Sequence, residues 1–306
     1  MARDVHTIGL VVHPSRNIDA ALTSVRAWAQ ARGARLGQVF VRGQDRRVAD
    51  PVEPDDCDVL LAIGGDGTVL AALDRAGPTG SPVLGIAMGS LGALTSAPAS
   101  EISAALDRFA GGEWEARDLT GLAIERDGVR VDMAINDLVI VRRGSGQVIL
   151  AIDVDGDLYA RTAGDGVIVA TALGSSAYTL AADGPLLASD HHGMVITPLA
   201  DHAGFVPPVV LGSSSTVSIT VDGGWSGARV EVDGQIVQDD TGPGEQRQFR
   251  LDISVDDCGA RLLDFDGETR IAGLRRRGVI ADSPRLKARD AREARSEKAP
   301  RVSRSW

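Results

Sequence analysis

Val59-Leu60-Leu61-Ala62-Ile63-Gly64-Gly65-Asp66-Gly67-Thr68-Val69-Leu70-Ala71-Ala72-Leu73 changes its pattern midway. Its opening is an unbroken apolar run, the pattern of a strand buried on both faces. Two glycines, an Asp and a third glycine follow, and Thr68 stands where it can cap a helix with Val69, Leu70 and Leu73 on one face. A buried strand feeding a Gly-rich turn that opens a helix is a device for holding phosphates. Glycines let backbone N–H groups crowd an anion, and the helix N-terminus adds partial positive charge. Asp66 would repel a phosphate if the loop did nothing else. It suits a base for an attacking hydroxyl, or an indirect ligand to a phosphate-bound Mg²⁺. The same letters also make an ordinary βα turn, with Gly and Asp serving backbone geometry alone.

Outward from this stretch, strands and helices alternate. Thr7 to Val12 reads as a strand and His13-Pro14-Ser15 as a turn. Asn17 is the expected cap of a helix with Ile18, Leu22, Val25 and Trp28 on one face, closing near Gly33. Leu36 to Val41 and Pro82 to Ile86 read as strands, and Ile102, Leu106 and Phe109 mark a helix ending at Gly111-Gly112. Such alternation predicts a parallel sheet covered by helices, with ligands outside the carboxyl ends of the strands.

From Glu115 the period changes to that of strands. Arg126-Asp127-Gly128 is a hairpin signal, and Asp155-Gly156-Asp157, Asp222-Gly223-Gly224 and Asp233-Gly234-Gln235 separate further apolar runs. The prediction is an all-β, sandwich-like domain with one helical interruption around Ser176 to Leu187, closing with strands at Phe249 to Val255 and Arg261 to Phe265.

Composition excludes several classes. The net charge is −10, but from Arg275 to Trp306 eleven Lys/Arg face four Asp/Glu, a net of +7. The rest of the chain carries 21 basic and 38 acidic residues, a net of −17. An acidic body argues against nucleic-acid binding, and the basic end reads as a solvated, largely disordered tail. No apolar run approaches the roughly 20 residues of a bilayer span. The N-terminus reads as a strand rather than a secretion signal, and two cysteines, Cys57 and Cys258, imply neither a disulfide framework nor a zinc site. A reduced, cytoplasmic protein is expected. No P-loop, Gly-x-Gly-x-x-Gly fingerprint or Gly-x-Ser-x-Gly elbow occurs.

Four further patches carry chemistry. Asn136-Asp137 precedes an apolar strand, and a carboxamide beside a carboxylate suits a ribose or base edge; it is equally a good strand-entry turn. Gly164-Asp165-Gly166 precedes a buried strand. After that strand, Thr171 through Tyr178, including Ser176 and Ala177, forms a small-residue turn able to offer N–H groups, with Tyr178 as the nearby ring. His202 stands on a loop, within reach of a phosphate or ribose or incidental there, and His191-His192 lacks further ligands at metal spacing.

In this order the patches resemble the NAD kinase family. The matching stretches are Gly64-Gly65-Asp66-Gly67-Thr68, Leu91-Gly92-x-Leu94-Thr95, Asn136-Asp137, Gly164-Asp165-Gly166, Thr171 through Tyr178, Gly184-Pro185, Thr197-Pro198 with His202, and Asp233-Gly234-Gln235. Lipid kinases carry the first loop too; the series is what makes the resemblance specific. It implies a two-domain fold: residues 1–112 an α/β domain with a parallel sheet that binds nucleotide phosphates, and 113–255 a β-rich domain that binds the dinucleotide. Residues 256–275 would return to the first domain and 276–306 would form the tail.

The resemblance further implies ATP and NAD as substrates, with Asp66 as base on the adenosine 2′-hydroxyl. Gly64, Gly65, Gly67 and Thr68, with Mg²⁺, would position the ATP phosphates. Asn136, Asp137, Asp165, Thr171, Ser176, Ala177, Tyr178 and His202 would face NAD. A homodimer or homotetramer in which neighbours complete the site is implied as well, with no nucleic acid or membrane partner. Ala87, Leu173, Asp183 and Pro207 depart from the family pattern near the expected dinucleotide pocket, which leaves a different hydroxyl acceptor (nucleoside, polyol or lipid) as the alternative. A non-catalytic dinucleotide binder is a third reading, disfavoured by the intact Gly65-Asp66-Gly67.

Overall fold

Thr7–Val12 is buried at every residue, as an apolar run covered on both faces demands, and forms β1. The computed structural model describes residues 4–201, 204–239, 248–265 and 270–297. Helix α1 (Asp19–Arg32) buries Leu22, Val25 and Trp28 at helical spacing and ends at Gly33, whose φ of 69° supplies the left-handed stop. Asn17 caps from one residue further out than expected: Ile18 holds the N-cap position, and the Asn17 side chain accepts the Asp19 N–H.

Next come β2 (Arg35–Gln38), β3 (Val59–Gly64), α2 (Asp66–Ala76), β4 (Pro82–Ala87), the two-residue β5 (Ala97–Pro98) and α3 (Ile102–Gly111). Strand β2 is shorter than predicted. It stops where the buried Gln38 side chain bonds the Arg46 carbonyl and the Val48 N–H, turning the chain back. The order β2-β1-β3-β4 is parallel throughout, so the loops leaving these strands share one edge. Alternate residues serve two cores. Leu10, Ile63 and Ile86 pack with Leu22 of α1 and Phe109 of α3, while Val11, Leu60 and Ala62 pack with Val69 and Leu73 of α2.

The antiparallel part comprises β6 (Glu115–Arg126), β7 (Val129–Ala134), β8 (Asp137–Arg142), β9 (Val148–Val154), β10 (Asp157–Thr171), the four-residue α4 (Tyr178–Ala181), β11 (Gly193–Asp201), β12 (Val209–Gly212), β13 (Thr216–Asp222), β14 (Ala228–Val232), β15 (Gln235–Asp239) and β16 (Gln248–Asp264). Three two-residue turns, Asp127-Gly128, Asp155-Gly156 and Asp233-Gly234, have every φ between 51° and 88°, the geometry that matches hairpin twist and that Asp-Gly tolerates. Leu138, Ile140, Leu150, Ile152, Ile219 and Val230 share one core.

Where two closing strands were predicted there is one, β16, irregular between Asp257 and Arg261. Its first part pairs antiparallel with β13, and Arg261 and Leu262 pair parallel with Pro82 and Val83 of β4. Among the described residues the strands therefore form one continuous sheet, ordered β15-β14-β8-β10-β9-β13-β16-β4-β3-β1-β2, with the remaining strands attached off this path.

By its contacts the chain divides into residues 1–266 and 267–306. The second unit holds α5 (Arg270–Arg276) and α6 (Pro284–Glu297), so helix is present within the stretch expected to be a solvated tail. Among the described residues no helix is long and apolar enough to cross a membrane.

Candidate active site

Helix α2 begins two residues before the expected cap. Gly65 takes the N-cap position, and its carbonyl accepts the N–H groups of Thr68 (2.9 Å) and Val69 (3.1 Å). Thr68 does not cap because it is buried in the first turn, its hydroxyl only 2.1 Å from where a β-carbon on Gly64 would stand. Asp66 is thereby set in the first helical turn, where the helix dipole favours a carboxylate. The Leu91–Thr95 loop wraps it. Ala93 N–H donates to Oδ2 and Leu94 N–H to Oδ1, each at 2.9 Å, and Gly92 N–H donates to the Thr95 hydroxyl at 2.7 Å.

Beside Asp66 opens a cavity of about 490 Å³ lined by the 65–68 turn, by His13 and Arg16 after β1, by Arg42 and Gln44 after β2, and by Gln235. The imidazole of His13 organises the first of these loops. Its Nδ1 accepts the N–H groups of Ser15 (3.2 Å) and Arg16 (3.1 Å), while Arg46 donates to the carbonyls of His13 (3.3 Å) and Arg16 (2.6 Å). Burial, then the charges of Arg16 and Arg46, hold the His13 pKa below its usual value, keeping Nδ1 an acceptor. Gln44 donates to the Val12 carbonyl. Among the described residues neither Arg16 nor Arg42 forms an ion pair. Two arginines lining one cavity together with a helix N-terminus suit a chain of phosphates.

A second constellation surrounds residues 135–137. The Asp233 carboxylate accepts the N–H groups of Ile135 (2.8 Å), Asn136 (2.7 Å) and Asp137 (3.1 Å). On the other side, Thr171 donates its hydroxyl to the Ile135 carbonyl (2.7 Å) and its N–H to the Asn136 carbonyl (2.9 Å). The backbone is thus tied along both edges. Among the described residues the side chains of Asn136 and Asp137 form no hydrogen bond, and Asp137 is buried at 6% exposure. Burial, then the charges of Asp233 and Glu231, pushes the Asp137 pKa up to about 7. Burial also raises Asp233, to about 6, against the pull of its three N–H donors, with Asp74 adding to the rise. The three N–H donors favour the charged form of Asp233.

The remaining expected residues fall into three groups. Ser176 turns its hydroxyl to the Leu173 carbonyl (3.1 Å), Ala177 precedes α4, and Tyr178 is 43% exposed with its ring accessible. Asp165 lies elsewhere: Ala170 is opposite Asp137 but Gly166 is opposite Val141, so Asp165 sits level with the far end of β8, roughly 16 Å away at the rise of a strand. There it is held by Arg142. His202 lies outside the described residues. Of the departures, Ala87 is buried at the end of β4, and Leu173 packs on the core beneath α2 with Leu70 and Ile135. Asp183 adopts a left-handed φ of 58°, and the Pro207 carbonyl accepts the Tyr159 hydroxyl.

Sequence reasoning passed over His13, Arg16, Arg42 and Gln44, and gave Asp233 no role. A signal for the first four was present: they follow β1 and β2, and loops after parallel strands converge on the edge where the β3 loop lies. Asp233 is joined to its partners only by the sheet, 96 to 98 residues away in sequence.

Among the described residues no three His, Cys, Asp or Glu side chains converge to hold a metal unaided.

The sequence matches the ATP-NAD kinase N-terminal domain over residues 8–114 and the ATP-NAD kinase C-terminal domain over residues 135–250. It is 37% identical over 185 residues to an NAD kinase of Nitratidesulfovibrio vulgaris (strain DP4), covering 59% of this chain and 62% of that one, so the chain spans less than two thirds of that relative. An NAD kinase of Clostridium beijerinckii is 30% identical over 240 residues, covering 76% of this chain and 82% of the relative. The fold is similar to that of yeast NADH kinase, crystallised with NADH, with a TM-score of 0.75 at 20% identity over 93% of this chain and 90% of that one.

Proposed function

The chain belongs to the ATP-NAD kinase family, and from that membership we propose that it transfers the γ-phosphoryl group of ATP to the 2′-hydroxyl of the adenosine ribose of NAD, giving NADP. The observation that carries the reading is one carboxylate, Asp66, oriented by two N–H bonds at the rim of a cavity that is also lined by Arg16 and Arg42.

In this reading Asp66 takes the proton of the ribose hydroxyl as the bond to phosphorus forms. Its orientation is set beforehand by Ala93 and Leu94, so no reorganisation is needed at that step. Gly65 and Gly67 offer N–H groups to the phosphates, Gly64 gives Thr68 room to pack in the first turn, and Arg16 and Arg42 offset the charge of the donor. Asn136 and Asp137 hold the acceptor, with Tyr178 presenting its ring. Mg²⁺ would arrive on ATP and neutralise charge on the phosphate oxygens. Positioning and charge neutralisation supply most of the acceleration, as covalent chemistry by the protein is not required.

The packing of Leu173 into the core supports NAD over another hydroxyl acceptor, because this departure is taken up away from the cavity. The remoteness of Asp165 within its own chain supports a homodimer or homotetramer in which a second copy brings it to the acceptor. A cytoplasmic setting, where ATP and NAD are both abundant, goes with this reading.

The test is Asp66→Asn. NADP formation should fall on the order of 10²- to 10⁴-fold, with binding of NAD and ATP retained. A rate near that of the wild type would remove Asp66 from the reaction.

A further inference from the structure

The turn between β14 and β15 touches both halves of the site. Asp233 and Gly234, with φ of 51° and 75°, join Val232 to Gln235 in a two-residue hairpin. One residue of this tip grips the 135–137 loop, and another, Gln235, lines the cavity beside Asp66. The grip is reciprocal, since Asp233 N–H donates to the Asp137 carbonyl at 3.0 Å.

We propose that Asp233 is a positioning residue: its carboxylate holds the backbone of Asn136 and Asp137 in register with the phosphate cavity that Gln235 helps to wall. This rests on the kinase reading of the site. A hairpin turn does not need the carboxylate, because Asn-Gly makes the same turn as Asp-Gly. Three consecutive N–H groups, by contrast, converge on one point only if an acceptor holds them there. Oδ1 serves Asn136 and Asp137, and Oδ2 serves Ile135. With these N–H groups on Asp233 and the carbonyls of Ile135 and Asn136 on Thr171, the polar groups of 136 and 137 left unbonded among the described residues are their side chains. Gly174 seals the arrangement, since a β-carbon there would stand 2.0 Å from the Asn136 carbonyl oxygen.

Asp233→Asn separates the turn from the clamp. It keeps the shape and the Asn-Gly turn, but sets an NH₂ against the N–H groups. In the full-length chain, amide hydrogen exchange over residues 133–138 should accelerate about tenfold or more, with the thermal unfolding midpoint little changed. The KM for NAD should rise about tenfold, and kcat should fall, while the KM for ATP moves less than about twofold. Unchanged exchange together with unchanged KM for NAD overturns the proposal and leaves the kinase reading standing. Faster exchange with an unchanged KM for NAD makes Asp233 purely structural and also overturns it. A wild-type protein that neither phosphorylates nor binds NAD overturns both readings at once.

Discussion

A β-carbon on Gly92 would stand 2.0 Å from Oδ1 of Asp66. The loop bearing Gly92 therefore lies directly on the carboxylate that it orients through the N–H groups of Ala93 and Leu94, and any side chain at 92 displaces one or the other. Gly92→Ala is expected to lower kcat about 10²-fold, the scale of a misplacement near 1 Å. The KM for NAD should change far less. Steady-state kinetics on the folded variant checks this, and a kcat within twofold of wild type would show that Asp66 tolerates the shift.

Arg16 and Arg42 meet the donor in this scheme, so Arg16→Ala and Arg42→Ala should each raise the KM for ATP about 10- to 100-fold, the range of one or two charge-assisted contacts. Binding of NAD in the absence of ATP should be unaffected. Equal losses for both substrates would mean that the arginines support the fold instead.

Tyr178 is exposed and follows the Thr171–Gly174 turn that holds the Asn136 carbonyl, and in the proposed reading it meets the acceptor. Tyr178→Ala should weaken NAD about tenfold, the loss expected of one ring contact, and leave ATP nearly unchanged. Calorimetric titration with each nucleotide separates the outcomes.

Asp137 titrates near 7 in the folded chain against an ordinary value of 3.8, so the native state binds its proton the more tightly. That contribution to stability is fully present below about pH 3.8 and is lost as pH rises through about 7. Asp137→Asn removes the charged form, so its melting temperature should exceed that of the wild type at pH 8, and the gap should narrow at pH 5.5. Ligand-free melting curves at the two pH values check the sign. A gap independent of pH would show that Asp137 does not carry the shift.

The parts of this fold that were legible in sequence are those decided by neighbours along the chain. The apolar run before Gly64, the Gly33 stop of α1 and the Asp-Gly turns at 127, 155 and 233 all form as local chemistry requires. The start of α2 was misplaced because Thr68, a good cap by type, is buried against Gly64, a packing fact that propensity does not contain. The single strand β16 was read as two, since its irregular middle looks like a turn until β6 and β4 are seen to pair on either side of it. In the site, Asp66 and the Asn136-Asp137 pair were visible as motifs. The bonds of Asp233 and the placing of Arg16 and Arg42 on the Asp66 cavity depend on strand order, which brings together segments far apart in sequence.

The most direct test of the proposed reaction is to incubate the purified chain with ATP, Mg²⁺ and NAD, then identify the product with an NADP-specific dehydrogenase and locate its new phosphate. The expected result is NADP phosphorylated at the adenosine 2′ position, formed in equal amount to ADP and at a rate on the order of 10²- to 10⁴-fold lower with Asp66→Asn. Consumption of ATP without NADP, or a phosphate placed on another hydroxyl acceptor, would contradict it.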